Sequence, residues 1–275
     1  MESNFTTTRR KFLLGSSALS LVASLPKPLY GETLAQQKVE GENPVFAPTP
    51  KDASLKFNLD GSPRPFAGNT IICHLPQQCR FRDETAALGE AFRASSFAHK
   101  CGILPSNSYH MSVFTGANDQ DRAVYGWPAD VPIDATMAEC NRIIGERIDS
   151  FTMREGLPIR VRVDGEKTLG PQRVSSLRMI PADVVEREKI RKLRSRLAAE
   201  VFRLNIVDHD AYVFHISLAY QLRPLTQEEA KENQTILEHH VPLITAAAPV
   251  IELGDPEFCT FDDMFRFEIQ KLLRS

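Results

Sequence analysis

Two short segments of this 275-residue chain carry a histidine followed two positions later by a serine. They are His110 with Ser112 and His215 with Ser217, and apolar residues alternate with them in both segments. This alternation predicts extended strands, in which residues i and i+2 share a face. Each strand would then present one imidazole and one hydroxyl opposite its apolar side chains. Because an imidazole exchanges a proton near neutral pH and a hydroxyl donates to an anionic oxygen, the pattern indicates acid–base chemistry on an anion.

Chance alone produces such a His-x-Ser or His-x-Thr tripeptide about once in a chain of this composition. The alternative interpretation is therefore that these polar residues merely face solvent from two-layer sheets. An active pair is favoured by position, because both tripeptides lie on apolar strands at equivalent places in a repeated order of elements. Ile71 precedes His110 by 39 residues, and Ser176 precedes His215 by 39 residues.

Hydrophobic periodicity and capping residues predict the order strand, helix, strand, helix, strand, performed twice. In the first pass the strands begin at Ile71, Tyr109 and Ile159, and the helices begin at Asp83 and Asp134. The second pass comprises strand 176–180, helix 184–204, strand 211–220, a helix capped by Thr226, and strand candidates at 250–253 and 258–261.

The motifs, the element order and three flanking segments resemble the 2H phosphoesterase superfamily, in particular a bacterial branch defined mainly by sequence. The flanking segments are Gly68–His74, Trp127–Pro128 and Phe261–Phe265. The resemblance spans roughly residues 55–273. It implies an α+β fold of two pseudo-symmetric lobes, each an antiparallel sheet with outer helices, around a central cleft. A His-x-Ser/Thr strand from each lobe would supply the active site, and this chain has Ser in both.

The resemblance further implies a metal-independent phosphodiesterase that hydrolyses 2′,3′-cyclic phosphates of nucleotides or RNA ends. That reaction needs a base for the incoming water and an acid for the departing ribose oxygen, which His110 and His215 can provide. Ser112 and Ser217 would bind the non-bridging phosphate oxygens. No metal or cofactor is required, and the sequence leaves open which histidine is the base. The alternatives are a phosphate- or nucleotide-binding protein with the same cleft and no turnover, and an exported metalloenzyme.

Four further side chains border the motifs or follow the first one. They are secondary candidates for substrate contact: Tyr109, Arg122, Trp127 and Tyr220. An arginine can pair with phosphate, and an aromatic ring can stack on a base. Surface ion pairing and core packing are the commoner uses of such residues and remain the alternative.

Residues 1–35 have the features of an export signal of the twin-arginine type. Arg9 and Arg10 directly precede an uncharged run from Phe12 to Leu25, which is too short to span a bilayer. We therefore expect an exported protein, in the periplasm or an equivalent compartment. Residues 36–68 are rich in proline and glycine and predict a linker and entry loop, and residues 69–275 would form the bilobal 2H phosphoesterase domain.

Composition limits the partners. With 33 Lys+Arg against 35 Asp+Glu, the formal charge of −2 provides no global basic field for an extended nucleic-acid duplex. We expect a small nucleotide or RNA end as substrate, no stable membrane span, and a monomer. The five cysteines include no CxxC pair, and no paired spacing supports a zinc set drawn from His74, Cys79, His99 and Cys101.

Overall fold

The computed structural model describes residues 53–120, 122, 126–170, 174–205 and 209–274. The expected export signal, residues 1–35, lies outside these residues, as does the first part of the expected linker, residues 36–52. Within the described ranges, no helix combines the length and the apolar composition that crossing a membrane requires.

Helices and strands alternate along most of the described chain. The helices are α1 (Ala53–Lys56), α2 (Arg80–Ala94), α3 (Met137–Ser150), α4 (Gly165–Leu169), α5 (Val184–Arg196) and α6 (Gln227–Ala247). A π-helical segment, Leu197–Phe202, continues α5, and 3₁₀ turns span Ala98–Lys100 and Ser106–Ser108. The strands are β1 (Gly68–His74), β2 (Cys101–Ile103), β3 (His110–Asn118), β4 (Ile159–Val163), β5 (Val174–Pro181), β6 (His215–Gln221), β7 (Ile251–Leu253), β8 (Glu257–Phe261) and β9 (Glu268–Leu272).

The strands form one antiparallel sheet in which the two motif strands, β3 and β6, are neighbours. Along the sheet the order is β7-β4-β5-β6-β3-β1-β8-β9, and β2 pairs separately with β6. Read outward from the centre, β3-β1-β8-β9 mirrors β6-β5-β4-β7. Met111 of β3 pairs with Ile216 of β6, and this pair joins the halves. The expected α+β fold with two like-ordered antiparallel halves is confirmed, and the structure adds that the half-sheets are continuous.

Helix α5 shows how local sequence sets an element. Asp183 caps its first turn by accepting hydrogen bonds from the backbone N–H groups of Val185 and Glu186. The helix contacts β3, β4 and β5. Its buried stripe, with the π-helical segment, is the one that a helical period predicts: Ile190, Leu193, Leu197 and Val201.

Arg194 is a buried cation that connects α5 to a motif strand. Its guanidinium donates a hydrogen bond to the backbone carbonyl of Val113 on β3 and lies 4.0 Å from the centroid of the Tyr212 ring. Charge-assisted hydrogen bonds and cation–π contacts of this kind compensate a desolvated guanidinium. The contact therefore fixes the middle of β3, close to His110.

The packed domain starts earlier than the expected boundary at residue 69. Ala53, Phe57 and Phe66 are all buried and belong to the main hydrophobic core. The prediction of a linker and entry loop over residues 36–68 is therefore corrected from Ala53 onward, because apolar side chains between the prolines and glycines contribute to the core. For residues 36–52 it stays a prediction.

All five cysteines are free thiols. Cys79 is half-buried and the other four are buried. Desolvation raises the pKa of Cys101 to about 12 and that of Cys140 to about 11. These two cysteines therefore act as small core residues rather than as nucleophiles.

Shortening Ile216 to alanine tests the junction between the two halves. The side chain is fully buried, so its loss leaves a cavity and lowers the free energy of unfolding by about 2–5 kcal/mol. Urea denaturation followed by circular dichroism measures this change. Val184→Ala, at a side chain of α5 that is 74% exposed, is the control, with an expected change within about 0.5 kcal/mol. Equal stability of Ile216→Ala and the wild type would contradict the role assigned to this pair.

Candidate functional site

The pairing of β3 with β6 brings the four motif side chains onto one face of the sheet. The apolar middle residues of the two motifs lie opposite each other in this antiparallel pair. One step along the strands, His110 therefore adjoins Ser217, and Ser112 adjoins His215. All four side chains are half-buried. The two imidazoles thus lie diagonally across the junction, each beside the hydroxyl of the other motif.

The same backbone contact orients both imidazoles. Nδ1 of His110 lies 2.7 Å from the carbonyl oxygen of Ser108, and Nδ1 of His215 lies 2.9 Å from the carbonyl oxygen of Val213. A carbonyl oxygen only accepts, so each Nδ1 carries the hydrogen and donates it. Proton exchange by either ring then falls to Nε2, which accepts a hydrogen bond when the ring is neutral and donates one when it is protonated.

His110 packs against two neighbouring rings. Its ring centroid is 4.3 Å from that of Phe267 and 6.1 Å from that of His74, which meets it edge-on. The pKa of His110 is lowered to about 3, mainly by burial and to a smaller extent by electrostatic repulsion from His74 and His215, against the opposing effect of the hydrogen bond to the Ser108 carbonyl. His110 is therefore neutral at pH 7, with a free lone pair on Nε2.

His74 and Glu257 form a pair on the strands next to His110. His74 of β1 lies opposite His110 of β3 in the strand register. Its Nδ1 is hydrogen-bonded to Glu257 of β8, and the two side chains are only 17% and 13% exposed. Sequence patterns did not reveal this pair, because 183 residues separate its members. The one available signal was the position of His74 at the end of a predicted strand.

Cys259 adds a third possible metal ligand to this pair. Its Sγ, the Glu257 carboxylate and a ring nitrogen of His74 all lie within 4.8 Å of one another. A nitrogen, an oxygen and a sulfur donor suit zinc. Within the described chain this is the single cluster of three or more such donors, so the zinc set of His74, Cys79, His99 and Cys101 weighed from the sequence does not assemble.

Arg178 occupies the equivalent position on the strand next to His215. It lies opposite His215 in the β5–β6 register, as His74 lies opposite His110 in the β1–β3 register. Ser176, two residues earlier, lies opposite Ser217. A basic residue therefore lies opposite each motif histidine on the outer neighbouring strand. Sequence reasoning placed neither His74 nor Arg178 beside the motifs, because strand register is a long-range property.

Two of the secondary candidates pack elsewhere. Tyr109 is 2% exposed, and its hydroxyl lies so close to Gly89 of α2 that a Cβ on that glycine would be 2.1 Å away. Burial raises the pKa of Tyr109 to about 12. Tyr220 packs against Phe57, with ring centroids 5.1 Å apart, and beneath the ammonium of Lys56. The expectation of substrate contact is corrected for Tyr109, which faces the core, and Tyr220 serves packing at the domain edge.

The other two candidates bind each other. The Arg122 guanidinium lies 3.8 Å from the centroid of the Trp127 ring and donates hydrogen bonds to Asp119 and to the carbonyl of Ile133. Trp127 Nε1 donates to the carbonyl of Val131, 3.1 Å away. The described contacts of both side chains are with this loop and not with the motif strands. These contacts agree with the alternative of ion pairing and packing, and substrate contact by Arg122 and Trp127 stays a prediction.

Comparison with known proteins agrees with this architecture. A family model described as 2H-phosphodiest, a domain of unknown function (DUF1868), matches residues 56–170 and supports a 2H phosphoesterase-type domain. The crystal structure of a conserved protein of unknown function, ATU0111, from Agrobacterium tumefaciens str. C58 is similar, with a TM-score of 0.74 and 26% sequence identity. The similarity covers 83% of this chain and 94% of that one. No curated protein matches the chain.

The environment of His110 makes the stability of the fold depend on pH. An ordinary histidine titrates near 6.5, and His110 titrates at about 3 in the folded state. The unfolded chain therefore binds more protons between these values, so the free energy of unfolding falls as pH decreases from about 6.5 towards about 3. We expect His110→Asn, which removes this titration, to lose less stability than the wild type between pH 7 and pH 5.

Urea denaturation at the two pH values measures this difference. His239→Asn, at an exposed position on α6, is the matched control and should retain the wild-type pH dependence. Parallel pH profiles for His110→Asn and the wild type would show that His110 titrates as an ordinary histidine.

Proposed function

We propose that this chain is a phosphodiesterase that hydrolyses 2′,3′-cyclic phosphates of nucleotides or RNA ends without a metal. The match to a 2H phosphoesterase-type domain supports the coarser statement, a hydrolase acting on phosphodiesters. The observation that carries the proposal is the placement of His110 and His215 on one sheet face, each with Nδ1 hydrogen-bonded to a backbone carbonyl.

The different surroundings of the two imidazoles favour an assignment of roles. His110 is neutral at pH 7, mainly because of burial, so its Nε2 can accept the proton of an attacking water. The water oxygen bonds to phosphorus as the bond to one ribose oxygen breaks. His215, protonated at Nε2, donates its proton to that leaving oxygen. Each turnover then ends with the proton exchanged between the two imidazoles and solvent.

The serine hydroxyls suit the charge that the reaction accumulates. Ser112 adjoins His215 and Ser217 adjoins His110, so one hydroxyl lies next to each imidazole. Hydroxyl donors near the non-bridging oxygens stabilise the additional negative charge at phosphorus in the transition state. In this proposal the serines bind phosphate and do not act as nucleophiles.

The net charge of the chain and its expected export favour a class of substrate. A formal charge of −2 argues against an extended duplex and for a small nucleotide or an RNA end. If residues 1–35 direct export, scavenged nucleotides or cyclic-ended RNA fragments fit an extracytoplasmic enzyme better than intracellular RNA processing. A panel of 2′,3′-cyclic nucleotides and short cyclic-ended RNAs, with product isomers identified, tests the class directly.

Removing either imidazole should nearly abolish turnover. We expect His110→Ala and His215→Ala each to lower kcat on 2′,3′-cyclic nucleotides at least 100-fold, since a general acid or base typically contributes about 10²–10⁴. His239→Ala, at an exposed position on α6 outside the motif strands, should retain wild-type kcat. Retention of more than a hundredth of the wild-type kcat by both motif variants would refute the acid–base assignment. A wild-type protein that binds these substrates and forms no product would be a binding protein and not an enzyme.

Removing metal should leave the reaction intact. The reaction as proposed uses the His74, Glu257 and Cys259 cluster neither for water activation nor for phosphate binding. We expect kcat to be unchanged after dialysis against EDTA and in Cys259→Ser, with Cys140→Ser as a control at another buried cysteine. A metalloenzyme would instead lose its activity on chelation and regain it when zinc is added, and the Cys259→Ser variant would be inactive.

A further inference from the structure

Arg178 points from β5 onto the face that carries the motif side chains. Its opposite residue in the β5–β6 register is His215, and directly paired residues in an antiparallel sheet share a face. The neighbours of Arg178 along the strand, Leu177 and Met179, are buried on the other side. The side chain of Arg178 therefore leaves β5 next to His215, on the face of the candidate site.

The guanidinium of Arg178 has no counterion or carbonyl partner among the described residues, although the side chain is half-buried. Other shielded arginines of the chain are compensated: Arg147 binds Asp130, and Arg196 binds Glu155 and Glu200. Burial lowers the pKa of Arg178, with no opposing effect from a nearby acid. A partly desolvated cation without a partner costs stability, and an anion bound beside it removes that cost.

The basic residue at the equivalent position in the other half already has a carboxylate partner. His74 lies opposite His110 as Arg178 lies opposite His215, and His74 is hydrogen-bonded to the Glu257 carboxylate. The two halves therefore differ in charge although their strands correspond. An anion entering the site meets an uncompensated arginine on the β5 side and, on the β1 side, a histidine that is paired with a carboxylate.

We propose that Arg178 is the phosphate anchor of the site. Its planar fork of N–H donors matches two non-bridging oxygens of a phosphate group, a geometry that a lysine ammonium does not reproduce. The phosphate then lies on the His215 side of the junction, with His110 across from it, which agrees with His110 as the base and His215 as the acid. The identity of the anion as substrate phosphate rests on the proposed function, whereas the anion site itself does not.

Binding of inorganic phosphate to the full chain tests the anchor without reference to turnover. Isothermal titration calorimetry should show phosphate binding to the wild type, weakened about 10- to 100-fold in Arg178→Gln, since a charge-assisted hydrogen bond contributes on this scale. Arg178→Lys, which keeps the charge without the fork, should fall between the two. Arg162→Gln is the matched control: this exposed arginine lies on the same face of β4 and should change the affinity less than about twofold.

Two results would overturn the proposal. One is phosphate affinity that Arg178→Gln leaves unchanged, or that the wild type lacks. The other is an equal loss in Arg178→Gln and Arg162→Gln, which would indicate a diffuse basic surface instead of a site. Loss of phosphate binding in Arg178→Gln with no cleavage of cyclic phosphates by the wild type would retain the anion site and refute only the proposed reaction.

A stability measurement separates a binding role from a structural one. Because the Arg178 guanidinium has no ion pair or hydrogen bond within the described chain, and glutamine retains the backbone contacts of this position, Arg178→Gln should unfold at the same or a higher urea concentration than the wild type without phosphate. Added phosphate should stabilise the wild type and not the variant. If Arg178→Gln were less stable than the wild type by the same amount with and without phosphate, Arg178 would have a structural role, and the proposal would be contradicted.

Discussion

The burial of Met111 against Ile216 is the constraint on which the site depends. Side chains alternate along a strand, so placing this apolar pair in the core directs the residues before and after it to the other face. A shift of one residue in the β3–β6 register would put the imidazoles in the core and the apolar side chains outside. Hydrophobic packing, rather than contact among polar groups, therefore positions His110 and His215.

Much of this arrangement could be predicted from the sequence, because it follows from short periods. The two-residue period identified the motif strands, and the helical period identified the buried stripe of α5. The same two-residue period also explains the wrong expectation for Tyr109, since a residue adjacent to His110 must face the core. Contacts between distant strands lay beyond such reasoning: the His74–Glu257 pair and the position of Arg178 depend on register and on the order of strands in the sheet. Phe57 and Phe66 were missed because surrounding prolines and glycines suggested a loop.

The two halves of the sheet correspond in backbone and differ in electrostatics. Strand order, motif placement and the Nδ1 contacts repeat. The charges around them do not, because one half pairs its outer basic residue with a carboxylate and the other leaves it unpaired among the described residues. On the β3 side, burial is the main cause that lowers the pKa of His110 and keeps this imidazole neutral, as a general base in the site requires.

The hydrogen bond from each Nδ1 to the carbonyl two residues earlier makes each motif a self-contained unit. The backbone just before each motif strand fixes the tautomer and the orientation of the imidazole, and strand pairing sets only the distance between the two imidazoles. Ring orientation and ring separation are therefore determined by different parts of the molecule. Loops and outer strands of either half can diverge, or be transplanted, without turning the opposite imidazole, so substrate preference can evolve in one half while the other retains its alignment.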